Sequence, residues 1–127
     1  MEIFVPVSVG ELLDKITILK IKKCRILDVG KNENIALELA KLLDVCRDQA
    51  IAVDHPHVQA LQIVNEKLWD IEDRIREKEN LRQFDAEFVE LARQVYHSND
   101  RRFELKKMIN QEYGSKIVEE KSYKKYQ

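Results

Sequence analysis

The chain has 127 residues, of which 44% are hydrophobic and 35% are charged, with only three glycines and two prolines. This length corresponds to one ordinary domain, and the composition is typical of a folded, helix-rich chain and excludes a disordered one. Because 22 Lys and Arg stand against 23 Asp and Glu, the net charge is -1, which disfavours nucleic acid as a partner.

The sequence shows no export or membrane signal. Its first residues lack a basic start followed by an apolar run, and no later apolar run is long enough to cross a bilayer. We therefore expect a cytoplasmic protein with no membrane partner. Cys24 and Cys46 have no other Cys or His at a metal-binding spacing, so we expect two buried, reduced thiols.

Residues 1–7 are predicted to form a short extended arm, in which Ile3, Val5 and Val7 alternate. Ser8 and Glu11 have the spacing of a capping box, so the first helix should begin directly after Ser8 and continue to about residue 27. Apolar side chains fall on two opposite faces of this helix. It should therefore be either the central helix of a bundle or part of an oligomer interface.

The second helix is predicted from about residue 33 to residue 52, in an antiparallel hairpin with the first. Gly30 suits the C-cap of the first helix, and Asn32 suits the N-cap of the second. Asp54 is the predicted N-cap of the third helix, which should include Pro56 in its first turn and run to about residue 80. Its core positions alternate spacings of three and four residues, which is typical of helical bundles: Leu61, Val64, Leu68, Ile71 and Ile75.

The fourth helix is predicted over residues 86–113, between an Asp85 N-cap and a Gly114 C-cap. Phe84 should pack on Val89 as a hydrophobic staple, although one long kinked helix is the alternative to a break before Asp85. The sequence thus predicts a single all-α domain over residues 1–127. We expect an antiparallel helical bundle of about four helices, with the extended arm at one end and a charged tail over residues 116–127.

Four carboxylates follow one stripe of the third helix at spacings of four, three and four residues: Glu66, Asp70, Asp73 and Glu77. One interpretation is a magnesium site, because hard divalent cations bind carboxylate oxygens. The other is a solvated face with local ion pairs, such as Asp70 with Arg74 and Glu72 with Arg76. The second interpretation is the more common one on exposed helices.

The inward face of the fourth helix is interrupted by polar residues, and these supply the ligand-binding candidates. An antiparallel arrangement would bring Asn99, Arg101 and Arg102 towards the aspartates of the third helix. The cluster could clamp a carboxylate or phosphate, or it could be a structural ion-pair network, which we favour. The candidates are Tyr96, His97, Asn99, Arg101 and Arg102.

Two further features of the sequence bear on binding. His55 and His57 flank a proline and could share a metal ion, but the sequence identifies no further ligand. Trp69 lies off the core seam of the third helix, which favours a contact with a second surface. These features are compatible with a helix bundle that binds a partner.

Three stretches resemble an uncharacterised family of small bacterial and phage proteins, catalogued as a domain of unknown function. They are residues 5–22 (VPVSVGELLDKITILKIK), 68–79 (LWDIEDRIREKE) and 84–110 with the later 119–123 (EEKSY). The resemblance implies one compact domain in a bacterium or a phage-infected cell and places the tail beyond residue 123 outside the shared pattern. It carries over no activity, cofactor or catalytic residue.

A weaker similarity is to the MazG-type all-α nucleotide pyrophosphohydrolases, which bind magnesium through an acidic motif followed by a Glu-x-x-Asp pair. Glu11 and Asp14 have that last spacing, but no Glu-Glu-x-x-Glu motif stands upstream of them. The two features differ in order from the family's pattern, because the acidic stripe follows the pair here.

Two functions are therefore carried forward. The preferred one is a non-enzymatic helical binding or assembly module without a cofactor, whose partner is a second copy in a homo-oligomer or another protein. The alternative is a small metal-dependent hydrolase of nucleotides or phosphate esters. In that alternative the carboxylate stripe would hold magnesium, and Arg102 would bind phosphate.

Overall fold

The computed structural model describes residues 1–126, which contain four helices: α1 (Val9–Arg25), α2 (Val29–Asp48), α3 (Pro56–Asn80) and α4 (Ala86–Tyr113). No β-strand occurs within residues 1–126, so the all-α prediction is confirmed. Helix α1 packs against the other three helices, and α3 packs against α4 along the second hairpin. None of the described helices is both long and apolar enough to span a bilayer.

The two apolar faces of α1 are explained by its central position. Leu13 and Ile16 are fully buried in the core, together with Leu61 of α3 and Leu105 of α4. Ile21, on another side of α1, is only 3% exposed. Because neighbouring helices cover both faces, the apolar pattern of α1 does not require an oligomer.

Side-chain caps fix several helix ends where the sequence predicts them. The N–H of Glu11 donates to Ser8 Oγ at 3.0 Å, and the N–H of Phe88 donates to Asp85 Oδ1 at 3.0 Å. Gly114 ends α4 in the left-handed region, with φ at 59°. The start of α1, the break before α4 and both ends of α4 are therefore confirmed.

The predicted start of α2 is wrong. The helix begins at Val29 because Asp28 is the N-cap and accepts a hydrogen bond from Lys31 N at 2.8 Å, which places Gly30 inside the first turn. The Asn32 side chain instead donates to the carbonyl of Lys23 at 2.8 Å. Asn32 therefore satisfies the end of α1 and does not cap α2.

Several finer expectations also need correction. Helix α2 ends at Asp48, and His55 caps α3 in place of Asp54, because His55 Nδ1 accepts from His57 N at 3.1 Å. Phe84 lies edge-on against Phe88, with ring centroids 5.2 Å apart, and its contact with Val89 stays a prediction. The carboxylate of Glu11, the second residue of the predicted capping box, binds Lys106 of α4.

Both thiols are free, and Cys46 is buried as expected, but Cys24 is exposed near the end of α1.

The arm and the tail differ in how closely they contact the helices. Residues 1–7 are non-helical and exposed, with one ion pair from Glu2 to Lys41 Nζ at 2.5 Å. The tail returns to the bundle, where Glu119 meets Lys106 and Lys121 lies 3.3 Å from Asp100 Oδ1. Gln127, the last residue of the predicted tail, lies outside the described residues.

Gly10 lies in close contact with the backbone of α4. Its N–H donates to Asn110 Oδ1 at 2.6 Å. A Cβ atom at this position would lie 2.7 Å from the backbone carbonyl oxygen of Lys106 and 2.9 Å from Asn110 Oδ1. Because backbone of α4 is the obstacle, the two helices would have to separate to admit any larger residue.

We expect Gly10→Ala to lower the free energy of unfolding by about 1–3 kcal/mol, the usual cost of overpacking. The matched control is Gly30→Ala, where the nearest atom to the added Cβ is Asp28 Oδ1 at 3.5 Å. That change should be neutral or stabilise by up to about 1 kcal/mol, because Ala is the better helix former. Urea unfolding measures both, and equal stabilities of the two variants would contradict the close helix contact.

Candidate functional site

Asp14 of α1 is the one buried carboxylate within the described residues, with 1% of its surface exposed. Arg102 of α4 binds it with both arms of the guanidinium, at 2.9 Å from Nε to Oδ1 and 2.5 Å from Nη2 to Oδ2. Asn65 Nδ2 of α3 donates to Oδ1 at 2.8 Å. A carboxylate taken out of water is thus satisfied by one cation and one neutral donor.

A hydroxyl extends this network. Thr17 Oγ1 donates to the carbonyl of Asp14 at 2.7 Å and accepts from Asn65 Nδ2 at 2.8 Å. Asn65 therefore binds two residues of α1 that lie almost one turn apart. The contacts between α1, α3 and α4 meet at this polar cluster, which we call the Asp14 network: Asp14, Thr17, Asn65 and Arg102.

A second cluster joins the tail to the bundle one turn further along α4. Lys106 Nζ lies 2.6 Å from Glu11 Oε2 and 2.5 Å from Glu119 Oε2. The Ser8 hydroxyl donates to Glu119 Oε1, so the residue that caps α1 also contacts the tail. The start of α1, the middle of α4 and the tail are therefore tied together by charge.

These contacts keep the groups ionised. The hydrogen bond to Asp14 raises the pKa of Arg102. Burial opposes the charge of Lys106, but the bonds to Glu11 and Glu119 raise its pKa overall. Burial likewise opposes the charge of Glu119, but Lys106 and Ser8 lower its pKa. Since that pKa is depressed on folding, the stability from Glu119 is present at neutral pH and is lost as the pH falls through the lowered value.

A cleft of about 520 Å³ opens beside the Asp14 network, between α1, α3 and α4. Its lining combines apolar, acidic and basic side chains, among them Ile18, Leu68, Trp69, Asp73, Asn99 and Arg102. The Arg102 side chain is 29% exposed, and its guanidinium is already bound to Asp14. The cleft thus presents Trp69 and a cation that is held in place by a buried carboxylate.

A groove of about 720 Å³ lies between α4 and the tail. The rings of Tyr96, His97 and Tyr126 meet there, with centroids 4.9 to 5.2 Å apart. The Tyr126 hydroxyl donates to Asp100 Oδ2 at 2.5 Å, which raises the pKa of Tyr126 to about 12. The aromatic groove is therefore closed on one side by the tail itself.

Four of the five ligand candidates line these two places. Asn99 and Arg102 line the cleft, whereas Tyr96 and His97 line the groove together with Asn99. Arg101 is exposed and is not among the residues that line either one. Asn99 is thus the one candidate shared by both sites.

Arg102 pairs with Asp14 of α1 and with neither aspartate of the α3 stripe, although Asp73 lines the same cleft as Asn99 and Arg102. Asp14 faces α4 from the central helix, while the Asp70 side chain is 64% exposed and pairs with Arg25. The sequence contains a signal for this ion pair, because Asp14 interrupts the buried face of α1 between Leu13 and Ile16. A charge in such a position requires a partner from another helix.

The carboxylate stripe faces solvent. Asp70 Oδ1 lies 2.5 Å from Arg25 Nη1, and Glu77 Oε2 lies 3.5 Å from Arg74 Nη1. The predicted pair of Glu72 with Arg76 forms at 3.5 Å, whereas Asp70 binds Arg25 in place of Arg74. In residues 1–126, one group of three metal-ligating side chains brings its ligand atoms within 4.8 Å of one another, and it lies away from the stripe: His55, His57 and Glu112.

The fold and the polar network define an all-α bundle with a charged pair inside it. Residues 3–126 match the model of a family of unknown function (DUF6165), and the chain belongs to this family. The expected membership of an uncharacterised family is confirmed, but the match reaches residue 126, so the last residues of the tail belong to the shared pattern. No curated protein and no solved structure matches the chain.

We expect Asp14→Ala to lower the free energy of unfolding by about 3–5 kcal/mol, because it leaves Arg102 without its buried partner. The matched control is Asp70→Ala, which breaks an exposed pair with the same 2.5 Å separation. It should cost at most about 1 kcal/mol. Urea unfolding of both variants measures the difference, and a similar loss in the two would show that the Asp14 network has no special weight.

Proposed function

We propose that the protein is a non-enzymatic helical binding and assembly module that forms a homo-oligomer through its N-terminal arm. The observation that carries this proposal is the exposure of the arm's large apolar side chains, at 75% for Ile3, 89% for Phe4 and 66% for Val5. Single exposed apolar residues are common, but a contiguous run of them is typical of an interaction surface.

The base of the arm is held firmly, which favours a specific contact over a loose tether. Ser8 caps α1 and binds Glu119, and the N–H of Gly10 donates to Asn110 Oδ1 at 2.6 Å. Both residues are buried. Because the chain leaves the bundle from a fixed point, less conformational freedom is lost when the arm binds a partner.

A second copy of the chain is the partner that suits the arm best. In the part of the chain that the structure describes, the backbone of residues 1–7 makes no hydrogen bond. Two such arms, related by a twofold axis, can pair as antiparallel strands and bury each other's apolar side chains. Pro6 lacks a donor and sits at the end of such a pairing, next to the bundle.

The cations inside the bundle are already paired with carboxylates, which favours a binding module over an enzyme. Arg102 is bound to Asp14, and Lys106 is bound to Glu11 and Glu119. Because each of these cations is paired with a carboxylate, each offers less net positive charge to an anionic substrate than a free cation would. These ion pairs hold α1, α4 and the tail together, and this structural role is enough to explain them.

We expect Phe4→Ser to shift the protein towards the monomer, because it replaces the one aromatic side chain of the arm with a polar one. Analytical ultracentrifugation at several protein concentrations measures the effect. Leu27→Ser is the matched control, since Leu27 is also 89% exposed but lies between α1 and α2. A wild-type protein that is monomeric at every concentration, or an equal effect of the control, would refute assembly through the arm.

The alternative proposal, a magnesium-dependent hydrolase of nucleotides or phosphate esters, has one observation in its favour. Asp73 of the stripe and Arg102 line the same cleft, so a metal-binding carboxylate and a phosphate-binding cation would be neighbours. Asp70 and Glu77 are engaged with arginines, which argues against a full set of four ligands.

This alternative predicts that millimolar magnesium, added after chelator treatment, raises the melting temperature of the wild type and of Glu79→Gln. Asp73→Asn should abolish the increase, whereas Glu79 is an exposed carboxylate of α3 outside the stripe and serves as the control. Differential scanning calorimetry measures all three proteins. A melting temperature that does not respond to magnesium would rule out the hydrolase.

A further inference from the structure

The open end of the α3–α4 hairpin brings two imidazoles and one carboxylate together. His55 and His57 stand on either side of Pro56, at the start of α3, and Glu112 lies in the last turn of α4. His55 Nε2 lies 3.2 Å from Glu112 Oε2, and His57 Nδ1 lies 3.1 Å from Glu112 Oε1. One carboxylate is therefore held between two imidazoles, and each of its oxygens faces a different ring.

We propose that His55, His57 and Glu112 bind one divalent transition-metal ion, with zinc as the first candidate. Ligand atoms at about 2.0–2.1 Å from a tetrahedral zinc ion lie roughly 3.3 Å from one another. The two nitrogen-to-oxygen distances are close to that value, but they belong to different oxygens of Glu112. One ligand atom from each of the three side chains lies within 4.8 Å of the other two, so the side chains would rotate to bring one oxygen and both nitrogens around a single ion.

The chemistry of the ligands decides which ions fit. Two imidazole nitrogens with one carboxylate oxygen suit zinc, cobalt or nickel, whereas magnesium prefers a shell of oxygen atoms. Three protein ligands leave a fourth tetrahedral position for water. The three side chains are 31–38% exposed, so the cluster lies near the surface of the bundle.

The His57 ring supplies an independent indication. Its Nδ1 atom is shielded from solvent and has no hydrogen bond, because the 3.1 Å approach to Glu112 lacks the required alignment. Buried polar atoms without a partner are rare, and a metal ion would satisfy this one. Close by, Ala52 N donates to the Tyr113 hydroxyl at 3.0 Å, which ties the loop before α3 to the end of α4.

The tautomer of His55 sets the strength of binding. His55 Nδ1 accepts the capping hydrogen bond from His57 N at 3.1 Å, so the proton of the neutral ring is on Nε2, facing Glu112. For an ion to bind Nε2, the neutral ring must take its other tautomer, in which the single ring proton has moved from Nε2 to Nδ1 by exchange with solvent. The cap of α3 is given up in exchange, so we expect weaker binding than at a site where all ligands are preorganised.

Cobalt and zinc titrations of the chelator-treated full chain test this site. A Cys24→Ser background removes the exposed thiol, which could bind either ion. We expect cobalt to give visible absorption bands and zinc to raise the melting temperature. His57→Ala and Glu112→Gln should each weaken cobalt binding by at least about tenfold. His55→Ala is avoided, because it would also remove the cap of α3.

His97→Ala is the matched control, because His97 is the one histidine outside this cluster and lies in the groove beside the tail. Circular dichroism shows whether each variant retains its helices. Unchanged cobalt binding in His57→Ala, an equal loss in His97→Ala, or no response to either ion would overturn the proposal. A melting temperature that rises with magnesium would report on the α3 stripe and not on this site. Glu112→Gln leaves the stripe intact, so it should not change that rise.

Discussion

The arrangement of three of the four helices depends on one buried carboxylate. Asp14 lies on the central helix and cannot be left without partners, because an unpaired charge in the interior costs several kcal/mol. Its donors come from α3, through Asn65, and from α4, through Arg102. Only a narrow range of positions of α3 and α4 satisfies both bonds, whereas apolar contacts would tolerate small slips between the helices.

This constraint determines where the molecule can interact. The charged groups inside the bundle already have partners. The two proposed binding regions are the apolar arm, whose base packs against the C-terminal part of α4, and the cluster of His55, His57 and Glu112 at the open end of the α3–α4 hairpin. The tail contacts α4 through Glu119, which pairs with Lys106, and through Tyr126, which donates to Asp100. Assembly and metal binding would therefore use different parts of the chain, and neither would disturb the Asp14 network.

The sequence predicts what local chemistry determines. The bounds of α4 follow from Asp85 and Gly114, whose caps depend on neighbouring residues alone. The start of α2 could not be chosen with certainty, because Asp28 and Asn32 are both capable N-caps and the end of α1 also needs a donor. Residue spacing identifies the polar interruption of α4. The carboxylate that pairs with Arg102 in this interruption is Asp14, which lies 88 positions away in the chain. Partners on distant helices depend on three-dimensional packing.

A double-mutant cycle on Asp14 and Arg102 tests most directly whether this pair holds α4 against α1. The free energy of unfolding is measured for the wild type, Asp14→Ala, Arg102→Ala and the double variant. We expect the double variant to lose much less than the sum of the single losses, with a coupling energy of about 1.5–3 kcal/mol. Losses that add to within about 0.5 kcal/mol would contradict a direct, buried interaction between the two side chains.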